Sequence, residues 1–118
     1  MIKKRIFISG GAGVIGSELV KILEKQKCTI FVGDLKKKPS NFSNSILYYH
    51  GDLNFINKDL IFDFKPEIFI HLAASFERSE ESYDFWEENF HNNVNLSHHL
   101  MTIMKDISSL KRVVFASS

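Results

Sequence analysis

Between Ser9 and Ser17 the chain reads Ser-Gly-Gly-Ala-Gly-Val-Ile-Gly-Ser, with no charged side chain in the run. A segment of this kind does its chemistry with backbone. Glycine lets the chain turn sharply, approach a pyrophosphate closely and pack a following helix tightly. The first N–H groups of that helix then hold an anion through their partial positive charge, without a lysine. Two spacings fit: Gly11, Gly13 and Gly16 give G-x-G-x-x-G, and Gly10, Gly13 and Gly16 give G-x-x-G-x-x-G. Either predicts a dinucleotide-binding loop, provided a strand precedes it and a helix follows. An acid about 20 residues further on is expected to accept the ribose hydroxyls, and Asp34 stands 18 residues beyond Gly16. Its charge disfavours a 2′-phosphate, so NAD is expected in preference to NADP. Lys36, Lys37 and Lys38 follow at once; they either serve a phosphate or form a solvated loop.

Positioning these residues takes a strand before the loop, a helix after it and a second strand ending near Asp34. Short apolar runs recur at Ile6-Phe7-Ile8, Thr29-Ile30-Phe31-Val32, Ile46-Leu47-Tyr48-Tyr49, Ile68-Phe69-Ile70 and Val113-Val114-Phe115. They are rich in β-branched and aromatic residues and lack polar alternation, which predicts parallel strands covered on both faces. Ile15, Leu19, Ile22 and Leu23 fall on one helical face and predict the first covering helix, with Glu18, Lys21, Glu24 and Lys25 toward water. Trp86, Phe90, Val94, Ser97, Met101 and Met104 trace a second helical stripe. A shorter helix is expected between Asp52 and Phe64, ended by Lys65-Pro66, and a loop over Lys36 to Ser45. Alternation of this type predicts an α/β fold: a Rossmann-type doubly wound parallel sheet, strand order 3-2-1-4-5, stopping after the fifth strand.

The 118 residues are 44% hydrophobic and 25% charged, with 15 Lys+Arg against 14 Asp+Glu, an ordinary globular balance for one domain over 1–118. A net charge of +1 argues against nucleic acid or a membrane surface as partner. The single cysteine, Cys28, excludes an internal disulfide framework and fits a reducing compartment. Without a signal-like start or a long apolar run, a cytoplasmic location is expected.

Five motifs, the glycine loop among them, resemble the extended short-chain dehydrogenase/reductase family, the NAD-dependent nucleotide-sugar epimerases and dehydratases. Ser9 to Ser17 is similar to that family's Thr-Gly-Gly-Ala-Gly-Phe-Ile-Gly-Ser, and His50-Gly51-Asp52-Leu53 to its Gly-Asp-Leu. Pro66 to Ala74 resembles the fourth strand with its His-Leu-Ala-Ala ending, and Arg112 to Ser118 the fifth strand with its serine pair. Phe85 to Phe90 resembles the start of the long helix, although Asn92-Asn93 stands where the family has Gly-Thr. The resemblance implies a cofactor set of Gly10, Gly13, Val14, Ile15, Gly16, Asp34, Leu35, Asp52, Leu53, Leu72, Ala73, Ala74, Asn89 and Ser117. Val14 and Ile15 would contribute backbone N–H groups, and Ser118 matches the catalytic Ser/Thr.

In such enzymes a Tyr-x-x-x-Lys pair follows the serine, and the tyrosinate removes a hydroxyl proton while NAD accepts hydride from the same carbon. Tyrosines occur here at 48, 49 and 83, and the residues four further on are Asp52, Leu53 and Glu87, so no such pair is present. The chain is therefore expected to be the N-terminal NAD(P)-binding part of such an enzyme, without its substrate domain and inactive alone. In the full-length enzyme a nucleotide sugar is the expected substrate. A non-catalytic NAD(P)-binding sensor or interaction module is the competing reading, and a flavin enzyme a third. The fifth strand would leave Val113, Val114 and Phe115 on an open sheet edge, which predicts self-association or a homodimer.

Other constellations lead elsewhere. His91, His98 and His99 are spaced too widely or too closely for paired ligands on one helical face, so no metal site is expected. His71 reads as a hydrogen-bonded residue ending its strand. Ser118 lacks the G-x-S-x-G elbow of a hydrolase nucleophile. Glu77, Glu80, Glu81 and Asp84 read as a solvated loop and helix start.

Overall fold

Five parallel strands are laid down by the five apolar runs, in a computed structural model that describes residues 3–72 and 94–116. Strand β1 (Arg5–Ser9) is central, β2 (Thr29–Asp34) and β3 (Leu47–His50) lie to one side, and β4 (Ile68–His71) and β5 (Arg112–Phe115) to the other. The order is β3-β2-β1-β4-β5, as the alternation of elements predicts. The progression of strands across the sheet reverses between β1 and β4, the place where open α/β sheets leave a crevice at the carboxyl ends of their strands.

Each face carries its own core. Ile6, Ile8, Ile30 and Val32 point to one face, where helix α1 (Val14–Lys25) brings Val20 down onto them, flanked by Leu19 and Leu23. Phe7, Phe31 and Phe69 point to the other. There Phe7 meets Phe31 edge-on at 5.1 Å and stacks on Phe69 at 5.7 Å. Helix α2 (Lys58–Phe64) covers this face with Ile61 and Phe64, and helix α3 (Leu96–Met104) with Leu96, Leu100 and Ile103. Each fully buried side chain of this size is worth about 1.5–3 kcal/mol against exposure.

Two helical stripes are rotated from their sequence expectation. Ile15 is 75% and Ile22 53% exposed; α1 instead lays Gly16 and Val20 on the sheet. The reason is steric, since a helix that begins on a closely packed glycine must present that glycine, and the residue one turn later, to the strands. On α3 the buried line is Leu96, Leu100 and Ile103 with Met104, whereas Val94 is exposed and Ser97 and Met101 are half-buried. Trp86 and Phe90 lie outside the described residues.

The short helix α2 ends as its sequence predicts. Asn57 Oδ1 accepts the Asp59 N–H at 3.0 Å at its start, and Lys65 turns left-handed (φ 54°) at its end before buried Pro66. The 36–45 connection is irregular but anchored. Phe42 is buried against the α1-side core, its ring 6.3 Å from Tyr48, and Lys38 Nζ donates to the Ile46 carbonyl at 2.8 Å.

Candidate functional site

At the carboxyl end of β1 the chain enters the glycine loop through Gly10, whose φ of 82° is left-handed and suits glycine alone. Its N–H donates to the Gly33 carbonyl at 2.8 Å, which ties the turn to β2. The other glycines answer different demands. A Cβ on Gly16 would stand 2.5 Å from Gly10 O and 2.7 Å from Gly11 Cα, so only glycine lets α1 lie against the loop. On Gly11 a Cβ would press on Val32 Cγ1 at 2.7 Å. On Gly13 it would meet nothing nearer than Gly10 O at 3.8 Å. Both glycine spacings in the sequence thus have a physical basis: Gly10 supplies the turn and Gly11 the close fit on β2.

The open space over Gly13 faces the start of α1. Ser17 is the first residue whose N–H reaches back to the Gly13 carbonyl, at 2.8 Å. Among the described residues, the N–H groups of Val14, Ile15 and Gly16 have no acceptor, as expected of a first helical turn without a side-chain cap. The side chains of Val14 and Ile15 point away from the core and are exposed, so what these positions offer a ligand is backbone. Small residues here permit close approach, and the first-turn amides carry the partial positive charge that suits an anion.

Asp34 ends β2 beside this loop. Its Oδ2 accepts the Ala12 N–H at 3.0 Å and its Oδ1 the Lys36 N–H at 2.9 Å. One carboxylate therefore fixes both the glycine loop and the turn after β2, with lone pairs to spare for sugar hydroxyls. Sequence reasoning finds Asp34 but not its grip on Ala12, because that bond exists only once β1 and β2 are in register. Of the three following lysines, Lys38 is turned to Ile46 as described, and the Lys36 carbonyl accepts the Tyr48 hydroxyl at 2.6 Å. Burial, and after it the Asp34 charge, push the Tyr48 phenol well above its ordinary range, so it stays a donor there.

The remaining described positions from the sequence reading lie just past β2, in the turn after β3 and just past β4. Leu35 is exposed just past Asp34. Asp52 Oδ1 accepts the Asn54 N–H at 2.9 Å and caps a short 3₁₀ turn, Leu53–Phe55. Leu53 is buried, its Cδ2 2.5 Å from where a Cβ on Gly33 would stand, so Gly33 must be glycine for the two to meet. Leu72 is half-buried, and its N–H donates to the Ser9 carbonyl at 2.8 Å. Ala73, Ala74, Asn89, Ser117 and Ser118 lie outside the described residues.

One polar cluster is not legible in the motifs. Ser9 Oγ lies 2.5 Å from His71 Nδ1, and His71 Nε2 lies 2.9 Å from Ser97 Oγ of α3. His71 ends β4 with hydrogen bonds at both nitrogens, as its position suggests, and burial pulls its pKa below the usual histidine range. Ser97 stands on the helical stripe read from the sequence, which gives its face of the helix but not its partner. Among the described residues no group of three or more His, Cys, Asp or Glu is placed to hold a metal, and no helix is long and apolar enough to cross a membrane.

Known proteins are similar to this chain in sequence and in fold. The chain is 32% identical over 119 residues to UDP-glucose 4-epimerase of Halalkalibacterium halodurans, covering 96% of this chain and 34% of that protein. It is 32% identical over 124 residues to CDP-glucose 4,6-dehydratase of Salmonella typhimurium, covering 98% and 34%. It thus spans about a third of the length of the curated relatives it matches. The solved structure of MoeE5 in complex with UDP-glucuronic acid and NAD is similar with a TM-score of 0.80 at 29% identity, over 97% of this chain and 36% of that one. UDP-glucose 4-epimerase from Brucella ovis in complex with NAD is similar with a TM-score of 0.77 at 25% identity, over 97% and 35%. The family match itself runs over residues 6–118, from the first core residue of β1 through the glycine cradle to the last residue. By sequence and by fold alike, the chain belongs to the NAD dependent epimerase/dehydratase family.

Proposed function

We propose that this chain is the NAD-binding part of a nucleotide-sugar epimerase or dehydratase. One observation carries the reading: the amides of Val14, Ile15 and Gly16, without an acceptor among the described residues, lie beside Gly13 on a loop that Asp34 holds by the Ala12 amide. The residues present fit the cofactor. Val14, Ile15 and Gly16 would bind its diphosphate through backbone, Gly13 would admit it, and Asp34 would accept the adenosine ribose hydroxyls. The remaining cofactor positions we assign are Gly10, Leu35, Asp52, Leu53, Leu72, Ala73, Ala74, Asn89 and Ser117. Solved relatives support the choice of cofactor: MoeE5 is in complex with NAD together with a UDP-sugar in two structures, and the Brucella ovis epimerase is in complex with NAD.

Bound NAD supplies a transient hydride acceptor for a sugar carbon. Ser118 would hold the reacting hydroxyl, and proton removal belongs to a Tyr-x-x-x-Lys pair that these 118 residues do not contain. A lysine beside the phenol is what brings a tyrosine from about 10 into the working range. The chain is therefore assigned cofactor binding, in a cytoplasmic setting where NAD is available.

Calorimetric titration with NAD and NADP tests the assignment. NAD binds with saturating stoichiometry, and Asp34→Asn, which keeps one backbone bond but no charge, narrows the preference over NADP by about tenfold or more. A wild-type chain that binds neither nucleotide, or an Asp34→Asn variant with unchanged discrimination, contradicts it.

A further inference from the structure

We propose that Ser9, His71 and Ser97 form one positioning unit for the dinucleotide loop, in which His71 links α3 on one face of the sheet to the residue from which the loop departs. It rests on the dinucleotide reading above. Ser9 is 0% exposed and stands in register with His71 across β1 and β4. Three ties converge where the chain leaves β1: Gly10 N–H to the Gly33 carbonyl, Leu72 N–H to the Ser9 carbonyl, and Ser9 Oγ to His71 Nδ1. The first two are ladder bonds that any sequence of this fold could make. The third depends on side chains, and it continues from His71 Nε2 to Ser97 Oγ.

The ring is held from turning. Phe69 lies tilted against it at 5.7 Å and Phe115 edge-on at 5.5 Å. A neutral imidazole donates through one nitrogen and accepts through the other. One serine must then donate and the other accept, so the state of Ser97 on α3 sets the direction of the Ser9 hydroxyl. The helix fed by this loop, α1, lies on the opposite face from α3. The unit is thus a side-chain connection from one layer, through the sheet edge, to the loop of the other.

Among the described residues, the groups facing His71 are the Ser9 hydroxyl from β1, the Ser97 hydroxyl from α3 and the rings of Phe69 and Phe115 from β4 and β5. None of the four is charged, and burial accounts for the lowered pKa. An imidazolium would donate at both nitrogens, both hydroxyls would have to accept, and the fixed polarity would be lost.

The test is NAD titration between about pH 8 and pH 5 on the wild-type chain and on Ser97→Ala, Ser97→Thr and His71→Asn, with thermal unfolding of each. Wild-type affinity falls about tenfold across the range, and His71→Asn is weak and flat in pH. Ser97→Ala loses about three- to tenfold at the alkaline end, and Ser97→Thr, which keeps the hydroxyl, recovers it. Should His71→Asn fail to fold, the Ala and Thr pair at half-buried Ser97 still decides. NAD binding that is equal in wild type, Ser97→Ala and Ser97→Thr, with no pH dependence, overturns the proposal while leaving the dinucleotide reading intact. A wild-type chain with no affinity for NAD refutes that reading, and this one falls with it.

Discussion

Alanine at Gly13 and alanine at Gly16 separate binding from folding, because the same added methyl meets different surroundings at the two sites. Gly13 has φ −74° and ψ −179°, a conformation alanine adopts without strain. Its methyl would touch no protein atom closer than 3.8 Å. Alanine there lowers unfolded-chain entropy, a gain of about 0.4–1 kcal/mol, and is a poorer N-cap than glycine by a similar amount. The two nearly cancel, so stability stays close to wild type. The methyl does, however, occupy the space a diphosphate needs. If intrusion costs about 1–3 kcal/mol as overpacking does, NAD affinity drops roughly 5- to 150-fold.

At Gly16 the balance reverses. The methyl would overlap Gly10 O at 2.5 Å and Gly11 Cα at 2.7 Å, both backbone that cannot swing aside. The overpacking cost of about 1–3 kcal/mol outweighs the gain of about 0.5–1 kcal/mol from replacing a helical glycine. A fall in Tm of several degrees is expected. Thermal unfolding and NAD titration on the two variants side by side are the assay. Equal destabilisation of both, or a Gly13→Ala chain that binds NAD as wild type does, would refute the reasoning.

Two further outcomes follow from the described side chains. His71 has a folded pKa below its ordinary 6.5, so the unfolded chain takes up the proton more readily. Its stabilising contribution is complete above about pH 6.5 and is lost as pH falls through the lower folded value; denaturant midpoints should decline over that window in wild type and less in His71→Asn, and parallel declines would exclude His71 as the cause. On the β5 edge Phe115 is 51% exposed beside exposed Val114, so light scattering should show concentration-dependent association that Val114→Lys suppresses. A monodisperse monomer at all concentrations would count against it.

Fold class was legible because its signals are local. Apolar runs without polar alternation specify strands buried on both faces, and Lys65-Pro66 ends α2 where the chain says it should. The glycine loop was legible for the same reason: a strand, a glycine run and a helix are consecutive, and their order limits what the loop does. Helix faces were less so. Ile15 and Ile22 complete an apolar stripe by periodicity, yet both are exposed, since Gly16's contact with the loop fixes the rotation of α1. Periodicity counts apolar residues and cannot see which of them a neighbouring backbone will exclude.

By itself, then, the sequence determined the runs that become strands, the glycine turn between β1 and α1 and the acid at the end of β2, each a signal carried by residues near one another in the chain. Only the tertiary structure decided that Asp34 holds the Ala12 amide, that Leu53 needs Gly33 bare, and that Ser9 and Ser97 meet on the two nitrogens of His71. These contacts join residues distant in the chain, and their existence depends on strand register and helix rotation, which packing of the whole domain sets.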